Sequence, residues 1–233
     1  MAFSHRITRR IITTWSRAQV VTYAPNLTLW PRFFAPHEQR ILLTAALQKL
    51  DHMETRLARQ RMKRYTMTMP QTETSVLHEH FLPDEYYDFQ EGHFDGVIHH
   101  YREMHLNSWP EHEVAGLSPI LRDLYNICPT NEVQTHLLHL ASYGEILPHV
   151  DNTSASGSWI MGVSLGGERI LRMEGSNGND DSFDVPLPSG SVYLQSDSMR
   201  YQYKHSILKS KLSDEQDPRI KQRLSIMIRV RVP

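Results

Sequence analysis

From Val133 to the C-terminus, short apolar runs alternate with turn-forming segments. Glycine-containing turns separate the runs, at Gly144, Gly157, Gly166–Gly167 and Ser189–Gly190. The runs are VQTHLLHLASY, SWIMGVSLGG, RILRME, SFDVPLP, GSVYLQS, YKHSIL and RLSIMIRVRV. Several short strands at regular spacing are typical of a β-sandwich or a barrel. We therefore expect about seven or eight strands that form a jelly roll, also called a double-stranded β-helix.

Helical patterns dominate the part of the chain before these strands. Pro36–Leu50 predicts a helix, with a buried stripe of Ile41, Leu42, Ala45, Ala46 and Leu50. Phe94–Leu106 and Glu111–Ile127 predict two further amphipathic helices. The first of these would place His99, His100 and His105 on a helix face. The fold class expected is α+β, with N-terminal helices flanking the jelly-roll core.

The net charge of −1 conceals an uneven distribution of basic and acidic residues along the chain. Residues 1–37 hold five arginines and no acidic residue, so this part is +5 and the remainder is −6. Apolar residues recur there every four positions, at Phe3, Ile7, Ile11 and Trp15. A basic amphipathic helix without acids is typical of a mitochondrial transit peptide, and the alternative is a disordered basic arm. We expect residues 1–25 to be this segment and residues 27–233 to be one domain, which starts with a short strand at Leu27.

Composition excludes several classes of protein. No apolar run approaches the roughly 20 residues of a membrane span. Cys128 is the only cysteine, so an intrachain disulfide and a four-cysteine zinc site are impossible. The −6 body argues against strong non-specific binding to a polyanion. A local exception is the basic segment 56–64, which is either a solvated helix face paired with the acidic stretch 79–95 or a ridge that contacts RNA.

One pair of residues has the spacing of metal ligands on a strand. In His149-Val-Asp151, the first and third residues point the same way on an extended backbone, so both can reach one ion. His205, in a later strand, can supply a third ligand. Two histidines and one carboxylate form the facial triad that leaves open positions on Fe(II). The pattern recurs at His93-Phe94-Asp95, where we interpret Asp95 as a helix cap.

The last predicted strand carries arginine on its polar face. Arg223 and Arg229 lie on one side of it, with leucine, isoleucine and valine on the other. An edge strand facing water would show the same pattern. However, arginine binds carboxylates through two parallel hydrogen bonds, and 2-oxoglutarate is a dicarboxylate. Combined with the triad, the arginine pair indicates a pocket for 2-oxoglutarate beside iron.

These motifs resemble the AlkB-like Fe(II)/2-oxoglutarate-dependent dioxygenases. The resemblance runs from about Leu27 to the C-terminus and includes His149-x-Asp151, then LPSGSVYLQSDSMRYQYKHSI with His205, then the strand RLSIMIR. In the family that strand usually reads Arg-x-Asn-x-Thr-x-Arg, whereas Ser225 and Met227 stand here. The resemblance implies His149, Asp151 and His205 as both metal ligands and catalytic centre. It implies a co-substrate pocket of Arg223, Arg229, Tyr193, His136 and Leu138.

The resemblance is greatest to the mitochondrial member of the family, which implies several further properties. The cofactors would be Fe(II), 2-oxoglutarate and O₂, and the location the mitochondrial matrix. The substrate would be a protein or a mitochondrial RNA, hydroxylated or demethylated by a monomeric enzyme. Roles in necrotic cell death and fatty-acid metabolism are also implied. The alternative is a catalytically weak metal-binding jelly roll that acts as an interaction module.

Overall fold

The computed structural model describes residues 17, 19–68, 76–152, 157–176, 181–210, 212 and 216–231. The α-helices are α1 (Pro36–Met53), α2 (Arg56–Thr68), α3 (Leu117–Tyr125) and α4 (Asp197–Tyr201). Short 3₁₀ helices cover Leu77–His80, Asp84–Tyr86 and Pro218–Lys221. The strands are β1 (Val21–Ala24), β2 (Leu27–Trp30), β3 (Gln90–Gly92), β4 (Ile98–Leu106), β5 (Val133–His149), β6 (Trp159–Gly166), β7 (Arg169–Gly175), β8 (Ser182–Leu187), β9 (Ser191–Ser196), β10 (Tyr203–Ile207) and β11 (Arg223–Val230).

All strand pairs of the sheet are antiparallel. Its order is β1-β2-β9-β6-β11-β5-β10-β7-β8, with β4 added to β5 and β3 to β4. The long strand β5 joins two parts of the sheet, because its first half pairs with β11 and its end pairs with β10. Seven strands follow Val133 in the described residues. The prediction of an α+β protein with a strand-rich jelly-roll core and flanking N-terminal helices is confirmed.

The two faces of the sheet bury different clusters. The outer face packs against α1 and α3 in a large apolar cluster that includes Leu42, Leu121 and Ile226. The inner face encloses a smaller cluster that includes Leu138, Leu171 and Tyr193. The helix α1 matches the predicted one, with four of its five stripe residues fully buried or nearly so; Ile41 packs against the same cluster. The alternation of side chains along each strand separates these two environments.

The prediction of a helix over Phe94–Leu106 is wrong, because Ile98–Leu106 is the strand β4. The register against β5 shifts between His99 and Tyr101, and His100 has a φ of 52°. At this irregularity His100 alone stands opposite residues 141–144 of β5, and its positive φ redirects β4, so Ile98 and Tyr101 both pack on the inner cluster although they are three positions apart. Three-residue spacing of apolar side chains imitates a helix. His99, His100 and His105 therefore lie on a strand and not on a helix face.

Two other boundaries differ from the prediction. The helix predicted over Glu111–Ile127 begins only at Leu117, after Gly116 in the left-handed region with a φ of 79°. The folded pattern begins before Leu27, because β1 pairs with β2. Arg17 also forms ion pairs with Glu38 and Asp123. Residues 1–16 of the predicted leader lie outside the described residues, so the leader stays a prediction.

The basic segment lies on α2. Of its five basic side chains, Arg61 forms the predicted ion pair with the acidic stretch, at 2.8 Å from Asp88. The other four (Arg56, Arg59, Lys63 and Arg64) have no ion pair with a carboxylate in the part of the chain that the structure describes. This face of α2 is thus solvated, and most of its positive charges are not paired with a carboxylate. No helix within the described residues is long and apolar enough to cross a membrane.

Candidate metal centre and co-substrate pocket

Three side chains meet where β5 ends beside β10. His149 is the last residue of β5 and stands opposite His205 in the register. Asp151, two residues after His149, faces both histidines: its Oδ1 lies 3.4 Å from His149 Nε2, and its Oδ2 lies 3.8 Å from His205 Nε2. One ligand atom of each residue lies within 4.8 Å of the others. The predicted residues are therefore brought together with a geometry that can hold one metal ion.

The protonation of this cluster suits metal binding. Burial lowers the pKa of His205 to about 4, so its imidazole is neutral at physiological pH. Burial alone would raise the pKa of Asp151, but His205, His149 and Arg200 together hold it well below its usual range. The carboxylate is thus ionised. A neutral imidazole and a carboxylate are the forms in which these residues bind metals.

Hydrogen bonds orient two of the three side chains. His149 Nδ1 lies 2.9 Å from the Leu147 carbonyl, so this nitrogen carries the proton and Nε2 faces the cluster. Burial lowers the pKa of His149, but the bonds to Asp151 and to the Leu147 carbonyl raise it overall. Arg200 Nη1 lies 3.3 Å from Asp151 Oδ2, and the Arg200 side chain is fully buried. Arg200 lies in the stretch LPSGSVYLQSDSMRYQYKHSI that is part of the family resemblance, and the structure places it against Asp151.

A buried arginine lies deeper in the inner face. Arg223 is 1 % exposed, and its Nε donates to Ser164 Oγ at 3.0 Å. Burial lowers its pKa to about 10, so it stays cationic at neutral pH. Tyr193 lies close to it on β9, and burial raises the pKa of the Tyr193 phenol, which is therefore a hydrogen-bond donor. Arg223 has no carboxylate partner in the described part of the chain, and a buried cation requires one.

A glycine makes room for the tyrosine. Gly162 stands opposite Tyr193 in the pairing of β6 and β9. A Cβ at this position would lie 2.3 Å from Tyr193 Cε1 and 2.6 Å from its hydroxyl oxygen. The ring therefore lies flat over the Gly162 backbone and reaches into the barrel. Only glycine permits this approach.

The other arginine of the predicted pair lies at the opposite end of β11. Arg229 shares the inner face with Arg223, and its charge acts on both Arg200 and His105. Arg229 is therefore near the metal end of the pocket, because Arg200 contacts Asp151, while Arg223 is at the far end. Six residues of extended strand separate their Cα atoms by roughly 20 Å, so both side chains would have to lean inward to reach one dicarboxylate.

Several buried polar atoms of the inner face lack a hydrogen-bond partner among the residues that the structure describes. These atoms are Ser191 Oγ, Ser225 Oγ, Gln195 Oε1 and Arg229 Nε. Such atoms are costly in a dry core, and most native ones are satisfied by water or a ligand. The two serine hydroxyls and Arg229 Nε can donate to an anionic, oxygen-rich ligand such as 2-oxoglutarate, as can Arg223, whereas Gln195 Oε1 can only accept.

The two predicted wall positions lie on β5. Leu138 is fully buried in the inner cluster opposite Ser225. His136 is opposite Met227, and its Nε2 lies 3.1 Å from Glu103 Oε2. Leu138 therefore packs in the barrel, whereas His136 belongs to a polar group that sequence reasoning missed. Their roles as co-substrate contacts stay predictions.

The second His-x-Asp motif lies near the first. His93 Nδ1 is 2.8 Å from Asp95 Oδ1, and the charge of Asp95 acts on His149. Asp95 accepts a hydrogen bond from the Val97 backbone nitrogen at 2.9 Å, so it stabilises the turn before β4 instead of capping a helix. Neither residue joins the group that can hold a metal. The preference for the first motif agrees with this geometry.

Arg169 is a buried residue that the sequence did not single out. It is 1 % exposed and donates to five backbone carbonyls, those of Ala141, Ser142, Gly144, Leu208 and Lys221. It is close enough to Arg223 for their charges to repel. The two arginines differ in that both terminal nitrogens of Arg169 donate to backbone carbonyls, whereas Arg223 donates through Nε to Ser164. Nothing local in the sequence separates them, because the five carbonyls come from distant segments.

The comparisons with known proteins agree with the fold and the chemistry of the site. Residues 26–229 match the 2OG-Fe(II) oxygenase superfamily, so the chain belongs to this superfamily. Membership implies Fe(II), 2-oxoglutarate and O₂ as cofactor and co-substrates, as predicted.

Two relatives share the same description, "Alpha-ketoglutarate-dependent dioxygenase alkB homolog 7, mitochondrial". The protein from Bos taurus is 30% identical over 143 residues, which cover 60% of this chain and 65% of the relative. The protein from Mus musculus is 27% identical over 125 residues, which cover 54% of this chain and 57% of the relative. The chain therefore matches less than two thirds of each relative's length. These relatives agree with the AlkB-like resemblance.

A solved structure shows the same fold. The structure of OsALKBH1 superimposes with a TM-score of 0.51 at 16% identity, over 91% of this chain and all of that one.

Proposed function

We propose that this protein is a mitochondrial Fe(II)- and 2-oxoglutarate-dependent dioxygenase. The observation that carries the proposal is a metal-binding group, His149, Asp151 and His205, together with a buried arginine, Arg223, that has no carboxylate partner within the described residues. Fe(II) held by the triad would supply O₂ activation, which couples conversion of 2-oxoglutarate to succinate and CO₂ with oxidation of a substrate C–H bond.

The protein's own residues would bind and orient the co-substrate. Arg223 and the Tyr193 hydroxyl would hold the distal carboxylate at the closed end of the barrel, because both are buried donors near each other. Arg229 would attract the carboxylate at the metal end. Leu138 and the other apolar side chains of the inner cluster would exclude water. Exclusion of water strengthens each of these charge contacts.

Around the triad, the neighbours would fix the ligands before metal arrives. The Leu147 carbonyl holds the ring of His149, and Arg200 holds one oxygen of Asp151. A preorganised set of ligands loses little conformational freedom on binding.

The substrate would be a protein or an RNA of the mitochondrial matrix, and the product a hydroxylated carbon. Where the carbon is an N-methyl group, loss of formaldehyde would complete a demethylation. Roles in necrotic cell death and fatty-acid metabolism belong to the proposal through the family resemblance alone. Incubation with total mitochondrial RNA and with mitochondrial protein, each read by mass spectrometry, would distinguish the two substrate classes.

The catalytic part is tested by succinate release after anaerobic loading with Fe(II) and addition of O₂. We expect His149→Ala to abolish release and His93→Ala, in the second motif, to retain it. Mn(II) titration by calorimetry gives a readout that does not depend on turnover, and His149→Ala should weaken it strongly. Equal succinate release by His149→Ala and the wild type would overturn the catalytic reading and favour a metal-binding interaction module.

The proposed mitochondrial targeting is tested by a deletion that is shorter than the predicted leader. Removing residues 1–25 would also remove β1, which pairs with β2. Removing residues 1–16 eliminates Arg6, Arg9 and Arg10 and leaves Arg17 with its ion pairs to α1 and α3. We expect the shortened protein to stay in the cytosol, and continued import would contradict the proposal.

A further inference from the structure

A large cleft lies in the helix layer, on the opposite face of the sheet from the metal-binding group. Its volume is about 880 Å³, within the ~300–1,000 Å³ typical of small-molecule sites. The walls come from α1, α2 and the segment that contains the first two 3₁₀ helices. Residues that line it include Leu47, Phe81 and Tyr87, which also belong to the buried core. The floor of the cleft is therefore formed by the folded core.

Two helical stripes face each other across this cleft. On α1 the lining residues recur at three- and four-residue spacing, as Thr44, Leu47, Gln48, Asp51 and His52. On α2 the lining residues show the same spacing, at Arg59, Met62, Lys63 and Thr66. Stripes that face each other normally interdigitate at close packing. Here α2 buries only Ala58 and Met62, and the space between the helices stays open.

The charges that line the cleft are unequally compensated. Asp51 is held by Arg102 at 2.8 Å. Glu79 is close enough to Arg219 to add to the rise in the pKa of that guanidinium, which is caused first by the hydrogen bond to Asp217. By contrast, Arg59 donates only to the His52 carbonyl, and Lys63 has no carboxylate within reach in the described residues. The uncompensated charges are thus the two cations on α2.

The remaining walls are apolar or aromatic. Met62, Leu82 and the ring of Tyr65 join Leu47 and Phe81 around the cleft. A ligand that matches this lining has an apolar or aromatic body and one anionic end. We propose that the cleft is a second ligand site, which binds a small amphipathic anion with its carboxylate, sulfonate or phosphate between Arg59 and Lys63.

The test uses two dyes that differ by one charge. 1-Anilinonaphthalene-8-sulfonate is an aromatic anion, and N-phenyl-1-naphthylamine is its neutral parent. Fluorescence titration of the full chain should show saturable binding of the anion. In Arg59→Gln/Lys63→Gln, affinity for the anion should fall at least about fivefold, as expected for loss of hydrogen bonds to charged groups, and affinity for the neutral dye should not change.

Two controls separate the cleft from its surroundings. Arg56→Gln/Arg64→Gln removes the same charge from the same helix at positions that do not line the cleft, so it should leave both affinities unchanged. Thr44→Trp puts a large ring into the cleft and should weaken the binding of both dyes. Its unfolding midpoint shows whether the variant folds. Thr66→Trp is a second variant that fills the cleft.

Three results would overturn the proposal: equal loss in the two double variants, full binding by both tryptophan variants, or displacement of the anion by 2-oxoglutarate with Mn(II). The last result would place the dye in the jelly-roll pocket. None of these measurements requires the triad to be active, so the outcome is independent of the proposed dioxygenase function.

Discussion

Neighbouring residues of β11 lie in opposite environments. Leu224, Ile226 and Ile228 are fully buried in the outer cluster, beneath the helices. On the inner face, Arg223 and Ser225 are equally buried, but Arg223 has no carboxylate partner in the described chain and Ser225 Oγ has no hydrogen bond. The same strand thus satisfies its packing on one side and leaves polar groups unsatisfied on the other.

The difference shows where stability and ligand binding reside. Burial of apolar side chains is the dominant favourable contribution to folding, and the outer face supplies most of it. Each unsatisfied polar atom of the inner face costs about 1–3 kcal/mol, which a bound ligand can recover. The outer face therefore stabilises the fold, while the inner face is organised for a ligand at some expense of stability.

The largest effect on stability is expected from the outer face. Ile226→Ala should lower the free energy of unfolding by about 2–5 kcal/mol, because it opens a cavity under the helix layer. Denaturant unfolding measures this change. Leu57→Ala on α2 is the control, since Leu57 is 74% exposed and its truncation should have almost no effect. If both variants lost a similar amount of unfolding free energy, the outer face would not be the part of the molecule that stabilises the fold.

The next effect concerns the inner face. Arg223→Met should weaken binding of 2-oxoglutarate by about a hundredfold, equivalent to roughly 2.7 kcal/mol, and change the free energy of unfolding little. An uncompensated buried cation contributes nothing favourable to folding, and methionine fills similar space. Calorimetry with Mn(II) and without O₂ measures the affinity. Arg231→Met, beyond the end of β11, should bind as the wild type does; a large loss of stability in Arg223→Met would show that Arg223 is a structural residue.

The contrast along β11 was visible in the sequence because alternation is a local property. The same holds for His149 and Asp151, whose spacing alone places both on one side of an extended chain. The prediction was wrong where a bulge at His100 changed the period of β4. Arg169 could not be distinguished from Arg223, because the carbonyls that accept from its terminal nitrogens come from three separate parts of the chain. Contacts between distant segments leave no local pattern.

A smaller effect should follow from crowding the pocket tyrosine. In Gly162→Ala the new methyl would overlap the Tyr193 ring, so the ring must move out of the pocket. We expect a loss of about 1–3 kcal/mol in the free energy of unfolding, typical of overpacking, together with weaker binding of 2-oxoglutarate. Gly92→Ala is the matched control, because its nearest neighbour would be 3.6 Å away, an ordinary contact. If both variants bind the co-substrate normally, Tyr193 is not part of its site.

The smallest effect tests the departure of β11 from the family pattern. Ser225 stands where the family usually has asparagine, and its Oγ is buried without a partner. Ser225→Asn should tighten binding of 2-oxoglutarate by about threefold, the equivalent of a fraction of one hydrogen bond, because the amide reaches further into the pocket than the hydroxyl. Ser206→Asn on β10 is the matched control, since that buried hydroxyl also lacks a partner and should not respond to the co-substrate. Weaker binding by Ser225→Asn would mean that the pocket has room only for serine, and that the Ser225 hydroxyl forms its hydrogen bond with the co-substrate.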